Sequence, residues 1–200
     1  MIDTVVFDVG NVLTYFAWKD FLRSFGFSED VYKRVGDATV EGRYWNEYDR
    51  GVMSDEEIVD AFVSLDPGVE KEIRLSMSDL KGIVTAADYA IDWIKDLKSK
   101  GLQVLFLSNF SRKAFTECAD ALTFLPYTDG GVFSYTVGLI KPDPAIYRCL
   151  CDRYSLTPSS CVFIDDLEDN LKAAESLGFN TILFDNYENA KKMLNDLLDT

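Results

Sequence analysis

A chain of 200 residues, 48% of them hydrophobic and 27% charged, can bury one core and has room for one domain with a modest insertion. Its 34 acidic against 20 basic residues give a formal charge of −14, which repels a phosphate backbone and argues against nucleic acid as a partner. The absence of histidine removes Ser-His-Asp and Cys-His catalysis, His-ligated zinc and imidazole acid–base chemistry.

Four cysteines, Cys118, Cys149, Cys151 and Cys161, form no CxxC pair and read as reduced thiols of a reducing compartment. No basic-then-apolar leader precedes Asp8, and no apolar run approaches the length of a membrane span. The expectation is a soluble, cytoplasmic protein without a membrane partner. No heptad or long apolar stripe points to an oligomeric state.

In chain order, "TVVFDV" (4–9) reads as a strand that delivers Asp8 to its C-terminal end, with Gly10 permitting a tight turn. Residues 15–80 are strand-poor and helical. Ser54 with Glu57 forms a capping box before the apolar Ile58, Ala61 and Phe62. Arg43, Tyr44, Trp45 and Tyr48 fall on adjacent turns there; Trp45 and Tyr48 are expected to pack, as are Phe16 and Trp18 after the first strand, and Arg43 is a candidate ligand contact.

From residue 80 onward, helix and strand alternate. A helix over 86–101 carries Ile91, Ile94 and Leu97 on one face and ends at Gly101. Strands follow over 102–108, more weakly over 132–138, then over 160–166 and 180–185, with helices over 167–179 and 187–199. The strands are continuously apolar, which suits a parallel sheet covered on both faces. The predicted fold is α/β: a Rossmann-like open parallel sheet of residues 1–14 and 81–200, with an all-helical cap of residues 15–80 inserted after the first strand.

Three strands end in polar groups: Asp8, the pair Ser108-Asn109, and the pair Asp165-Asp166. Any one of these reads as a turn former or helix cap. Together, at the carboxyl ends of parallel strands, they converge on the rim where open α/β sheets bind ligands. Tandem aspartates after a buried strand repel each other unless a cation lies between them. Asp8 and Asp166, with a main-chain carbonyl in the tight turn that Gly10 permits, are an oxygen set suited to Mg²⁺, and Lys141 in "LIKPDP" is the candidate cationic side chain.

The set "FDVGNVL" (7–13), "FLSN" (106–109), "GLIKPDPAIY" (138–147) and "FIDDLEDN" (163–170), in this order, resembles the four motifs of the haloacid dehalogenase-like hydrolase superfamily. The helical insertion falls where that family places its small cap. The resemblance implies that Asp8 is a nucleophile forming an aspartyl-phosphate, and that Ser108 and Asn109 hold phosphoryl oxygens. Lys141 would offset their charge, and Gly10 and Asn11 would line the substrate site. Mg²⁺ would be held by Asp8, the Gly10 carbonyl, Asp166 and, directly or through water, Asp165, with Asn170 in support.

The chain departs from that pattern at Gly10, where phosphatases of the family usually carry the aspartate that protonates the leaving group. "DVGNVL" is similar to a DxGN subgroup that includes bacterial sugar-phosphate phosphatases. The expectation is a Mg²⁺-dependent phosphomonoester hydrolase acting on a small phosphorylated metabolite, with glucose 1-phosphate a candidate because an anomeric phosphate leaves with less help. A non-catalytic phospho-ligand or partner-binding module and a 2-haloacid dehalogenase are the alternatives, the paired Asp165-Asp166 speaking against the last.

Overall fold

The computed structural model describes residues 2–199. The chain opens with β1 (Thr4–Phe7) and β2 (Thr14–Phe16). Five helices follow: α1 (Trp18–Ser24), α2 (Glu29–Ala38), α3 (Trp45–Arg50), α4 (Asp55–Leu65) and α5 (Glu70–Ser78). The remainder alternates: β3 (Val84–Ala86), α6 (Ala90–Ser99), β4 (Gln103–Ser108), α7 (Arg112–Glu117), β5 (Gly130–Phe133), α8 (Pro144–Tyr154), β6 (Cys161–Asp165), α9 (Glu168–Ser176), β7 (Asn180–Leu183) and α10 (Tyr187–Leu198).

Five strands form one sheet in the order β5-β4-β1-β6-β7, every neighbouring pair parallel. Side chains alternate across it, which explains why the strands read as unbroken apolar runs. Val5, Phe7, Val104, Phe106, Val162 and Ile164 share one buried cluster with Trp93, Ile94 and Leu97 of α6 and Ala190 and Leu194 of α10. Val6, Leu105, Leu107 and Phe163 join Ile146, Tyr147 and Leu150 of α8 and Leu171 and Ala174 of α9 in a second cluster. The fold is thus a doubly covered, Rossmann-like α/β sheet.

The helical segment joins the sheet through a ribbon absent from the sequence reading. β2 pairs antiparallel with β3, Thr14 opposite Ala86 and Phe16 opposite Val84, so the outgoing and returning strands are hydrogen-bonded to each other. These strands have three residues each, too short for a periodic signal. The expected start of the helix at residue 86 moves to Ala90 for the same reason. The strand expected over 132–138 lies instead at Gly130–Phe133, and residues 134–136 form a single 3₁₀ turn that leaves the sheet to meet α3.

Within the helical segment the capping box at Ser54 and Glu57 is present, and Trp45 and Tyr48 pack against Phe62 at ring separations of 6.1 and 6.0 Å. The Tyr48 hydroxyl is the one buried side-chain polar atom without a hydrogen-bond partner among the described residues. Removing an unsatisfied buried hydroxyl while keeping the ring recovers its desolvation cost. Tyr48→Phe therefore raises stability by about 1 kcal/mol, read as a higher urea midpoint at unchanged slope.

Candidate active site

The register of the sheet assembles the site. Phe7 lies opposite Ile164, so the residues that follow, Asp8 and Asp165, emerge side by side at the carboxyl rim, and Asp8 N–H donates to the Ile164 carbonyl at 2.8 Å. Beyond Asp8 the turn is anchored on the Val9 carbonyl, which accepts from Leu13 N–H, Thr14 N–H and the Thr14 hydroxyl. The residue with left-handed backbone in this turn is Asn11, φ 57°, rather than Gly10. An added Cβ at Gly10 would meet nothing within 4 Å. The turn therefore does not need a glycine at position 10, which corrects the sequence reading, and Asn is among the few side chains that accept Asn11's conformation readily.

Lys141 sits between two carboxylates. Its Nζ lies 2.8 Å from Asp8 Oδ1 and 2.6 Å from Asp165 Oδ2, and the three residues are 3%, 7% and 0% exposed. Burial alone would push the ammonium down, but Asp165 and Asp8 outweigh it and hold Lys141 above the ordinary lysine value. Burial pushes the Asp8 carboxyl up, Lys141 opposing and Asp165 and Asp166 adding to the rise.

The surrounding polar groups fix this ion pair. Asn109 clamps the main chain of Lys141, accepting from its N–H at 2.7 Å and donating to its carbonyl at 2.9 Å. The peptide from Lys141 to Pro142 is cis. Asn170 donates to both oxygens of Asp165 at 2.9 and 3.1 Å, and Leu167 N–H adds 2.8 Å to Oδ1. Asn11 donates to Asp166 Oδ2 at 2.9 Å and accepts from Phe16 N–H. Burial also pushes Asp166 up, the Asn11 hydrogen bond opposing it.

These groups form the polar floor of a cavity of about 320 Å³, lined there by Asp8, Gly10, Asn11, Asn109, Lys141, Asp166 and Asn170. The rest of the lining is mostly apolar, with Phe16, Trp45, Ile83, Val84 and Phe110, interrupted by Asn46, Asp49 and Ser111. Trp45 and Phe16 face each other at 5.8 Å, so both serve the cavity as well as packing. Arg43 instead lies exposed against the Tyr44 ring and outside the cavity. Ser108 is buried with its hydroxyl on the Asn109 carbonyl at 3.3 Å, and it does not reach the lining.

Carboxylate oxygens of Asp8, Asp165 and Asp166 lie within 4.8 Å of one another. Three carboxylates face one ammonium, and an all-oxygen donor set of this kind fits a hard cation such as Mg²⁺. Both oxygens of Asp165 are already hydrogen-bonded, one of them to Lys141. Asp8 and Asp166 are therefore the carboxylates with capacity left for a metal, and Asp165 acts mainly as the counter-ion of Lys141.

Sequence reasoning passed over Asp49 in α3. It is 9% exposed, lines the same cavity and is pushed up to about 8, by burial first and then by the charge of Asp8, with Lys141 opposing. A signal was available: Trp45 and Asp49 are one helical turn apart, so a carboxylate shares the face of a packing tryptophan.

A sequence profile of the haloacid dehalogenase-like hydrolase family matches residues 2–178. A phosphatase of Mycobacterium tuberculosis is 28% identical over 92% of this chain and 88% of its own length. A phosphorylated carbohydrates phosphatase of Thermotoga maritima is 26% identical over 90% of this chain and 83% of its own. Acyl-CoA dehydrogenase family member 10 of mouse is 41% identical over 52% of this chain, but the match spans only 10% of that protein. Among solved structures, a HAD family enzyme of Bacteroides thetaiotaomicron in complex with magnesium and inorganic phosphate superposes with a TM-score of 0.68 at 20% identity, covering 92% of this chain and 94% of that one.

Two outcomes follow from the buried charges. In metal-free buffer, Lys141→Met leaves two buried carboxylates without their counter-ion and destabilises the protein by about 3–5 kcal/mol near neutral pH, read as a lower urea midpoint. Asp49 has a folded value above its ordinary 3.8, so the folded state binds the extra proton and its contribution to stability falls as pH climbs from 3.8 to about 8. The stability advantage of Asp49→Asn over the wild type therefore grows across that window and is constant above it, as thermal unfolding at a series of pH values would read.

Proposed function

Because the chain belongs to the haloacid dehalogenase-like hydrolase family, we propose that it hydrolyses a phosphomonoester through an aspartyl-phosphate on Asp8, with residues 15–80 as the cap over the site. The observation that carries this reading is the Asp8 carboxylate on the floor of the cavity, with Oδ1 held by Lys141 at 2.8 Å and by Val9 N–H at 2.7 Å. Both contacts fall on one oxygen and leave Oδ2 to attack phosphorus.

Asp8 forms the new O–P bond while the ester P–O bond breaks; water then attacks the acyl phosphate, releasing phosphate and restoring the carboxylate. Lys141 offsets the charge on the transferring group in a low-dielectric site. Asp8, Asp166 and the Gly10 main-chain carbonyl would hold Mg²⁺, which would supply further charge neutralisation when bound. Asn109 and Asn170 act one step removed, fixing Lys141 and Asp165.

Lys141 is the one cation lining the cavity among the described residues, which favours a substrate with a single phosphate. The aromatic and aliphatic walls suit a compact leaving group presenting C–H faces, such as a sugar ring, and the T. maritima relative's name points the same way. Glucose 1-phosphate is the candidate we favour within that class.

Phosphate release is measured from p-nitrophenyl phosphate, hexose 1- and 6-phosphates and nucleotides, with Mg²⁺ or EDTA, beside Asp8→Asn. The expected result is turnover that falls to background in Asp8→Asn and in EDTA. Stabilisation by phospho-ligands without any turnover would instead identify a binding module, and halide release from a 2-haloacid without Mg²⁺ a dehalogenase.

A further inference from the structure

We propose that Asp49 is the acid–base residue of this site, giving a proton to the leaving-group oxygen and taking one from the attacking water. The inference rests on the phosphohydrolase reading above and supplies the group that Gly10 lacks. Four titratable side chains line the cavity: Asp8, Asp49, Lys141 and Asp166. Asp8 is the nucleophile. Lys141 is committed to two carboxylates, and Asp166 is bonded to Asn11 and belongs to the metal side of the site. The chain has no histidine. Asp49 is the group that remains: no salt bridge engages it among the described residues, and its carboxyl meets the Ser111 main chain, which opposes the rise in its pKa.

Its placement is built. Asp49 comes from the helical segment, whereas Asp8, Lys141 and Asp166 come from the rim of the sheet, so the site is contributed by both. The Asp49 carbonyl accepts from the Ser134 hydroxyl at 2.5 Å, and Arg50 Nη1 reaches the Gly138 carbonyl at 3.5 Å. Gly51 has φ 71° and packs so closely on the 3₁₀ turn that an added Cβ would lie 2.7 Å from Tyr135 Cβ. Three consecutive residues are thus docked on the loop that leads to Lys141. This docking sets the carboxyl at the cavity. The rise to about 8 already described leaves Asp49 protonated near neutral pH, the state a general acid needs.

The steps balance. Asp8 Oδ2 bonds to phosphorus as the ester P–O bond breaks, and the departing oxygen takes the Asp49 proton to leave as an alcohol. Water then adds to the phosphorus of the aspartyl-phosphate and gives one proton to the Asp49 carboxylate. The P–O bond to Asp8 breaks, phosphate is released, and both carboxyl groups return to their starting states.

The test compares leaving groups in Asp49→Asn, with thermal unfolding to verify the fold, and in Asp49→Glu, which keeps a carboxyl. In Asp49→Asn, alkyl phosphates lose roughly 10²–10⁴-fold in kcat. p-Nitrophenyl phosphate, whose leaving group departs as an anion without a proton, still gives a burst of p-nitrophenolate approaching one per enzyme, followed by slow hydrolysis of the phosphoenzyme. Asp49→Glu recovers part of the alkyl phosphate turnover. Loss of the p-nitrophenolate burst together with alkyl phosphate turnover, or no loss on either substrate, overturns the role of Asp49 while leaving the phosphatase reading intact. A wild type inert toward every ester, or active without Asp8, overturns that reading and the role of Asp49 with it.

Discussion

The ammonium of Lys141 between Asp8 and Asp165 is the interaction on which the site depends. Two carboxylates at the ends of adjacent parallel strands would repel each other in a buried setting, and the lysine lets both remain there. Its cost of desolvation is offset only because each partner is itself held. Asn170 and Leu167 N–H satisfy Asp165, Val9 N–H satisfies Asp8, and Asn109 grips the lysine's own peptide on both sides. The sheet register supplies the spacing, and these contacts supply the direction.

Around this charged floor the molecule is apolar. The cluster that covers one face of the sheet continues through Val9, Val12 and Leu13 into Val35, Ile58, Phe62 and Ile73 of the helical segment, so sheet and helices share one core. Trp45, Phe16, Ile83 and Phe110 line the cavity beside that floor. Low-dielectric walls strengthen every charge interaction at the floor, and they raise Asp49 and Asp8 for the same reason.

Much of this architecture was legible in the sequence. Unbroken apolar runs ending in Asp8, Ser108 and Asp165 marked parallel strands and one functional rim, because a doubly covered strand has no polar face to show and its polar residues collect at the ends. The β2–β3 ribbon was not legible, since strands of three residues carry no periodicity. Ser108 looked like a ligand from its place in the chain; in the structure it is buried, with its hydroxyl 3.3 Å from the Asn109 carbonyl and outside the cavity lining. Gly10 looked like the turn's necessity, whereas Asn11 carries the left-handed backbone. For Asp49 the helical spacing from Trp45 offered a face but not a destination: its docking on the loop at 134–138 is a long-range contact that spacing does not show.

That loop has a mechanical consequence. Its near end grips α3 through Ser134 and Gly138, and its far end is Lys141, whose backbone Asn109 holds against the rim. A displacement of the helix therefore cannot be taken up by the helix alone; it is transmitted along a short tether to the ammonium that neutralises Asp8. The helix that carries Asp49 and the ammonium that neutralises Asp8 are thus joined by one short stretch of chain, anchored at both ends.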